Sequence, residues 1–95
     1  MISRDDSTLR IEVPMVIANA RELLARGQEY LTASASPSRL DLSAVTEADS
    51  SALTVLFAWM RRAQARGCQL SIVQPPASLL SLAELYGVSD LLPLA

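Results

Sequence analysis

Asp49, Ser50 and Ser51 bring a carboxylate and two hydroxyls together directly before an apolar run, in the stretch VTEADSSALTVLF over residues 45 to 57. A serine acts as a nucleophile when a general base accepts its proton, and histidine is the usual base. The chain contains no histidine and no Gly-x-Ser-x-Gly turn. These hydroxyls therefore either begin a helix or are offered to another molecule.

The other residues that could do chemistry do not assemble a catalytic or cofactor motif. The three glycines, at positions 27, 67 and 87, cannot build a P-loop or a Gly-x-Gly-x-x-Gly turn. Asp41, Glu47 and Asp49 have no identifiable acid–base partner. Because the chain lacks histidine, a Cys/His zinc site is excluded, and we expect Cys68 to be a small buried strand residue. The prediction is a protein with no metal, no cofactor and no enzymatic activity.

The junction that carries Asp49 and Ser50 fits two roles, which the sequence leaves open. Asp49 or Ser50 could cap a helix by accepting hydrogen bonds from the free backbone N–H groups at its start. Alternatively, a hydroxyl at the rim of a sheet could be offered to a partner. A phosphate there would be tolerated by the helix dipole but would repel an acidic partner surface.

Hydropathy patterns predict the elements that position this junction. The predicted elements are an edge strand over Thr8 to Val13, a helix from Pro14 to about Leu31, a strand over Arg39 to Val45, a helix over Ser51 to Arg66, a strand over Cys68 to Val73, and a helix over Ala77 to Tyr86 before a short apolar tail. The Ser/Pro stretch over residues 32–38 predicts a loop. Since strands alternate with helices, we predict an α/β domain with helices packed on a small, mixed, mostly parallel sheet.

The helix over Ser51 to Arg66 has a clear apolar face. The residues expected to face the core are Leu53, Leu56, Phe57 and Met60. This arrangement turns Val55, Ala58 and Arg62 outward and leaves Trp59 on the flank. An exposed strip of this composition is typical of a docking face. The alternative is that Trp59 folds under a neighbouring helix at the edge of the core.

Length and charge limit the class of partner. The 95 residues suit a single domain over 1–95. Eight basic residues against ten acidic ones give a net charge of −2, which does not favour nucleic-acid binding. No apolar run reaches the ~18 residues of a membrane span, and Met1 to Leu9 carries charges where a signal peptide is apolar. We therefore expect a cytoplasmic location.

The segment RLDLSAVTEADSSALTVLFAWMRRAQARGCQLSIV resembles the STAS domain, the fold of bacterial anti-sigma-factor antagonists. Its most specific parts are Asp-Leu-Ser at 41 to 43, Asp-Ser-Ser at 49 to 51, and the Gly-Cys-Gln-Leu turn into the next strand. The resemblance implies a STAS fold over essentially the whole chain. The N-terminal part predicts one clear strand, where a STAS domain often has two. In the antagonists, the serine after that aspartate accepts a phosphate from an anti-sigma kinase, and Ser50 stands at this position.

The C-terminal stretch SLAELYGVSDLLPLA is similar to the MlaB branch, the small cytoplasmic STAS subunits of Mla phospholipid-transport complexes. This branch implies an accessory subunit that binds the ABC ATPase and helps to maintain outer-membrane lipid asymmetry. It also implies that the subunit reaches the inner membrane only through the transporter. Because a serine at position 50 suits the antagonist branch equally, a phospho-switched anti-sigma-factor antagonist is the alternative.

The predicted partner-binding surface combines the turn from Thr46 to Ser51 with the outer face of the following helix. Its candidate residues are Thr46, Glu47, Asp49, Ser50, Ser51, Val55, Trp59 and Arg62. Ser50 is the candidate phosphoacceptor or contact hydroxyl. A third hypothesis is a homodimer that associates through the strip of Val55 and Trp59.

Overall fold

Strands and helices alternate along the chain after an N-terminal hairpin. The computed structural model describes residues 1–33 and 36–95. Its elements are β1 (Ile2–Asp5), β2 (Thr8–Ile11), α1 (Ile17–Leu31), β3 (Arg39–Asp41), α2 (Ser50–Ala65), β4 (Ser71–Val73), α3 (Ala77–Leu85) and a 3-10 turn (Ser89–Leu91). The strands lie in the order β1-β2-β3-β4, with β1 antiparallel to β2 and the other pairs parallel. The predicted α/β fold with a small, mostly parallel sheet is confirmed.

One face of the sheet carries the apolar side chains. Leu9, Leu40 and Ile72 lie side by side on β2, β3 and β4, and all three are buried. They belong to one core with apolar residues from all three helices. Arg10 and Arg39, next to them in sequence, point the other way and are exposed, because side chains alternate along a strand. The helices therefore cover this apolar face.

The N-terminal segment forms a hairpin and not a single edge strand. β1 pairs with β2 from Ile2 opposite Ile11 to Asp5 opposite Thr8. Asp6 turns the chain with a φ of 57°, a left-handed conformation that aspartate tolerates better than most residues. The prediction that β2 is an edge strand is wrong. Charged residues break up the apolar alternation of β1, so its strand character comes from backbone pairing with β2.

The strand β3 ends four residues earlier than predicted. The backbone N–H of Ser43 donates to Asp41 Oδ1 at 2.9 Å, and the N–H of Val45 donates to the carbonyl of Leu42 at 3.0 Å. These bonds turn the chain immediately after β3. Residues 34 and 35 of the predicted loop lie outside the described residues.

The strand β4 begins later than predicted because Gly67 and Cys68 are hydrogen-bonded to the end of α2. The N–H of Cys68 donates to the carbonyl of Ala63 at 2.9 Å, and the N–H of Gly67 donates to that of Gln64 at 3.0 Å. Gly67 has a φ of 74°, as expected where a glycine ends a helix. Cys68 therefore lies half-buried just after this turn and outside β4, and its predicted place as a buried strand residue is wrong.

The apolar C-terminal tail covers the outer edge of β4. Leu94 bridges Ile72 in parallel fashion. The N–H of Ile72 donates to the carbonyl of Pro93 at 2.8 Å, and its carbonyl accepts from Ala95 at 2.9 Å. The tail thus satisfies backbone groups of β4 that an open sheet edge would leave unpaired.

Candidate functional site

The segments that precede α1 and α2 are bonded to each other at the carboxyl edge of the sheet. Met15 bridges Ala48 in parallel fashion. The N–H of Met15 donates to the carbonyl of Glu47 at 2.9 Å, and the N–H of Asp49 donates to the carbonyl of Met15 at 3.1 Å. This pairing explains why α1 starts at Ile17 and not at Pro14 as predicted. Both helices therefore begin at the same place, next to the turn Thr46 to Ser51.

Asp49 is the N-cap of α2, which decides between the two capping residues that the sequence left open. Its Oδ1 accepts the backbone N–H of Ser51 at 2.9 Å and also the Ser51 hydroxyl. Its Oδ2 accepts the backbone N–H of Ile17 at 2.9 Å. The Ser51 hydroxyl and the Ile17 amide hold the pKa of the Asp49 carboxyl below its usual value. Asp49 is therefore a carboxylate at neutral pH, with both oxygens in use.

Ser50 is the first residue of α2, and its side chain is exposed. Within residues 1–33 and 36–95, the structure gives its hydroxyl no hydrogen-bond partner. Ser51, in contrast, is half-buried and donates its hydroxyl to Asp49. Of the two neighbouring serines, Ser50 therefore presents the hydroxyl that another molecule can reach.

Apolar side chains flank Ser50 on both sides. An open groove of about 540 Å³ lies on one side and is lined by Ile17, Ser50, Ser51, Leu53, Thr54, Phe57, Tyr86 and Val88. A second groove of about 470 Å³ lies on the other side, where Ser50 and Tyr86 are joined by Leu85 and by serines of α3. Ile17, Leu85 and Tyr86 are 74%, 76% and 57% exposed. We call these three residues and Ser50 the docking surface.

The sequence pattern does not predict that Ile17, Leu85 and Tyr86 surround Ser50. Ile17 continues the apolar period of α1, so its pattern predicts a core residue, yet it stands at the exposed start of the helix. Leu85 and Tyr86 lie 35 and 36 positions after Ser50 and approach it only through the packing of α3. One sequence signal for an exposed Ile17 is its place at the first position of α1, directly after Pro14, Met15 and Val16.

The predicted outward strip on α2 is wrong for two of its members. Val55 is 3% exposed and Trp59 is fully buried. The Trp59 ring lies under α1, where its Nε1–H donates to the carbonyl of Leu24 at 3.3 Å and its indole fills the space above Gly27. The alternative, with Trp59 under a neighbouring helix, is confirmed. A homodimer through Val55 and Trp59 is excluded, because both side chains are buried within the protomer.

The other predicted contact residues occupy different positions relative to Ser50. Thr46 and Glu47 are exposed in the turn just before Asp49. Arg62 is exposed as well, but it lies about 18 Å along α2 from Ser50. The structure therefore brings the turn residues together and leaves Arg62 at a distance.

Over residues 1–33 and 36–95, no helix has both the length and the apolar character needed to cross a bilayer. In the same described ranges, no group of three or more cysteine, aspartate or glutamate side chains could hold a metal ion.

Comparison with solved structures identifies the fold. A crystal structure of a candidate anti-sigma factor antagonist from Thermotoga maritima aligns with a TM-score of 0.79 at 18% identity, covering 99% of this chain and 83% of that one. The anti-sigma factor antagonist SpoIIAA in its unphosphorylated form aligns with a TM-score of 0.68 at 12% identity, covering 90% of this chain and 81% of that one. The Bacillus cell fate determinant SpoIIAA in its phosphorylated form gives 0.68 at 13% identity, covering 100% and 89%.

Comparison of the sequence identifies the family. No curated protein matches the sequence. A family model described as "Mlab, STAS domain" matches residues 1–93, which include every strand, every helix and the docking surface. The chain therefore belongs to the Mlab STAS domain family.

Proposed function

We propose that this protein is a non-enzymatic accessory subunit that binds the ATPase of a phospholipid-transport ABC complex. The observation that carries the proposal is the exposed Ser50 hydroxyl at the start of α2, flanked by Ile17, Leu85 and Tyr86. Membership of the Mlab family supports the transporter as the destination. In this role the protein contributes to outer-membrane lipid asymmetry and reaches the inner membrane through the ATPase alone.

The chemistry of the docking surface favours binding over catalysis. No histidine exists in the chain, and both oxygens of Asp49, the carboxylate nearest to Ser50 in sequence, accept hydrogen bonds from Ile17 and Ser51. Within residues 1–33 and 36–95, no side chain bonds to the Ser50 hydroxyl, so none is placed to remove its proton. Exposed isoleucine, leucine and tyrosine side chains around one polar group are instead the composition of a protein interface, where apolar anchors bury area and a polar group sets the orientation.

The proposed contact requires an uncharged hydroxyl. The Asp49 carboxylate is one residue from Ser50, and the pKa of Asp49 is lowered, so this turn already carries a negative charge. A second negative charge on Ser50 would be buried against the partner beside the first and would weaken the complex. The surface thus binds the ATPase while Ser50 carries an uncharged hydroxyl and releases it if Ser50 gains a negative charge.

Co-purification tests the proposal directly. The tagged protein is expressed in its native host, crosslinked, purified, and its partners are identified by mass spectrometry. We expect the wild type to recover an ABC ATPase in stoichiometric amount. The control variant Ser38→Asp, at the opposite end of the sheet, should recover the same amount, and Ser50→Asp should not. Recovery of an anti-sigma kinase without any ABC ATPase would contradict the transporter role.

A second candidate function is a phospho-switched antagonist of an anti-sigma factor. The specific observation in its favour is that Ser50 is exposed and lacks a hydrogen-bond partner in the described part of a fold that SpoIIAA shares, and SpoIIAA has been solved in a phosphorylated form. Incubation with ATP and the kinases of the host, followed by intact-mass and peptide analysis, tests this role. Stoichiometric phosphate on Ser50 in the wild type, absent in Ser50→Ala, would support it.

A further inference from the structure

A single carboxylate caps two helices that are distant in sequence. The N-cap position of α1 is Val16, which has no polar side chain, so α1 has no cap of its own. Its first N–H, that of Ile17, donates to Asp49, 32 residues further along the chain. The other oxygen of Asp49 accepts from Ser51 at the start of α2. The start of α1 is therefore fixed to the start of α2 through Asp49.

This connection lies inside the docking surface. Ile17 is 74% exposed and lines the same groove as Ser50. Ile17 donates its N–H to Asp49 and also lines the groove that Tyr86 and Val88 line. Because the Ile17 backbone is held by a residue adjacent to Ser50, the position of Ile17 in the groove depends on the Asp49 carboxylate.

We infer that Asp49 is a positioning residue for partner binding: by joining α1 to α2, it sets the distance between the Ile17 side chain and the Ser50 hydroxyl. This inference rests on the proposed docking function. It assigns Asp49 a role beyond that of an ordinary N-cap, which would stabilise α2 and leave Ile17 unaffected.

The variant Asp49→Asn separates the two roles. Asparagine caps helices about as well as aspartate, so its single oxygen can keep the bond to the Ser51 amide. Its amide nitrogen is a donor and cannot accept the N–H of Ile17. Asp41→Asn is the matched control, because Asp41 also accepts a backbone N–H in a turn, that of Ser43, but does not contact α1.

Amide hydrogen exchange and partner affinity form the test. In Asp49→Asn, we expect the Ile17 amide to exchange at least about tenfold faster, the Ser51 amide to stay within about threefold, and affinity for the co-purified ATPase to fall about tenfold, as for one lost charge-assisted hydrogen bond. Asp41→Asn should change none of the three. In a pH titration by NMR, the wild-type Ile17 amide should report the Asp49 carboxyl, and this response should vanish in Asp49→Asn.

Two results would overturn the inference. One is an unchanged Ile17 exchange rate in Asp49→Asn, and the other is faster Ile17 exchange with unchanged ATPase affinity. If the wild type binds no ATPase at all, the proposed function fails, whereas the exchange rate and the NMR titration of Ile17 still decide whether Asp49 holds the start of α1.

Discussion

The three adjacent residues Asp49, Ser50 and Ser51 have three different roles, although their chemistry is similar. Asp49 accepts hydrogen bonds from two helices, Ser51 donates its hydroxyl to Asp49, and Ser50 points into solvent. The difference comes from helix geometry. The side chain of the N-cap residue, Asp49, accepts the N–H of the residue two positions later, Ser51. In the part of the chain that the structure describes, the side chain of Ser50, at the first helical position, makes no such bond. Of the three residues, the middle one is therefore the most accessible to a partner.

The variant Ser50→Asp should bind the partner at least about tenfold more weakly than the wild type, which corresponds to about 1.4 kcal/mol. The introduced carboxylate would be desolvated at the interface close to the carboxylate of Asp49. Ser50→Ala removes one exposed hydroxyl and should cost less than Ser50→Asp. Isothermal titration calorimetry with the purified ATPase measures both, and Ser38→Asp is the control for an added charge. If Ser50→Asp and Ser50→Ala were both silent, Ser50 would be only the first residue of a helix.

The stability of the fold should depend on the ionisation of Asp49. Hydrogen bonds from Ser51 and Ile17 lower the pKa of the folded carboxyl from 3.8, so the unfolded chain binds this proton more tightly than the native state does. The contribution is therefore complete above the unfolded pKa and is lost as the pH falls through the lowered folded pKa. Urea unfolding at about pH 6 and about pH 3 should show a smaller loss of stability for Asp49→Asn than for the wild type. An equal loss in both proteins would show that Asp49 does not contribute.

At the scale of elements, the close contact between α1 and α2 depends on a residue with no side chain. Gly27 is buried within α1, and a Cβ at this position would overlap the indole ring of Trp59. Glycine weakens a helix, yet α1 continues past Gly27 to Leu31. The cost of glycine in a helix is offset here by the burial of a large aromatic ring.

Gly27→Ala should destabilise the protein by about 1 to 3 kcal/mol, because the added methyl group overpacks the contact with Trp59. The matched test is the same change in a Trp59→Leu background, where the indole is absent. There Gly27→Ala should be neutral or stabilising by up to about 1 kcal/mol, the difference in helix propensity. A double-mutant cycle from urea unfolding measures the coupling. Additive effects of the two changes would contradict the predicted contact.

At the scale of the whole molecule, the proposed docking surface lies at the carboxyl edge of the sheet. The exposed residues Ile17, Leu85 and Tyr86 come from α1 and the end of α3 and lie around the start of α2. The predicted contact residue Arg62 lies about 18 Å away along α2. An interface of standard size buries about 800 Å² on each partner and can include Arg62 only at its rim.

Ile17→Asp should therefore reduce partner affinity by more than tenfold, as expected for a buried apolar anchor. Arg62→Glu should cost less, and its effect should shrink as the salt concentration rises, because a charge at the rim is screened. Leu91→Asp, at a leucine that is 61% exposed and lies outside both grooves, controls for the loss of an exposed apolar side chain. A larger loss of affinity for Arg62→Glu than for Ile17→Asp would show that the interface is centred closer to Arg62.

Much of the fold can be predicted from the sequence, because its signals are local. The alternation over Thr8 to Ile11 and the apolar period of α2 predict a strand and a helix from neighbouring residues alone. Gly67 marks the end of α2 because only a residue that tolerates positive φ completes that turn. The strand β1 is missed, since it is held by hydrogen bonds to β2 and not by its own side-chain pattern. The end of β3 and the start of β4 are missed because turn hydrogen bonds override β propensity there.

The sequence by itself determined the order of the elements from β2 onwards, the absence of a histidine base and the choice of the Asp-Ser-Ser turn as the candidate site. The tertiary structure decided which of its residues are accessible. A helical wheel gives the relative directions of Val55 and Trp59 but not how many sides of α2 are covered. Both residues are buried, and Trp59 lies against α1. The tertiary structure also brought Ile17 and Tyr86, which are distant in sequence, into one groove with Ser50. Neither result is encoded in local spacing, because both depend on how helices pack once the chain is folded.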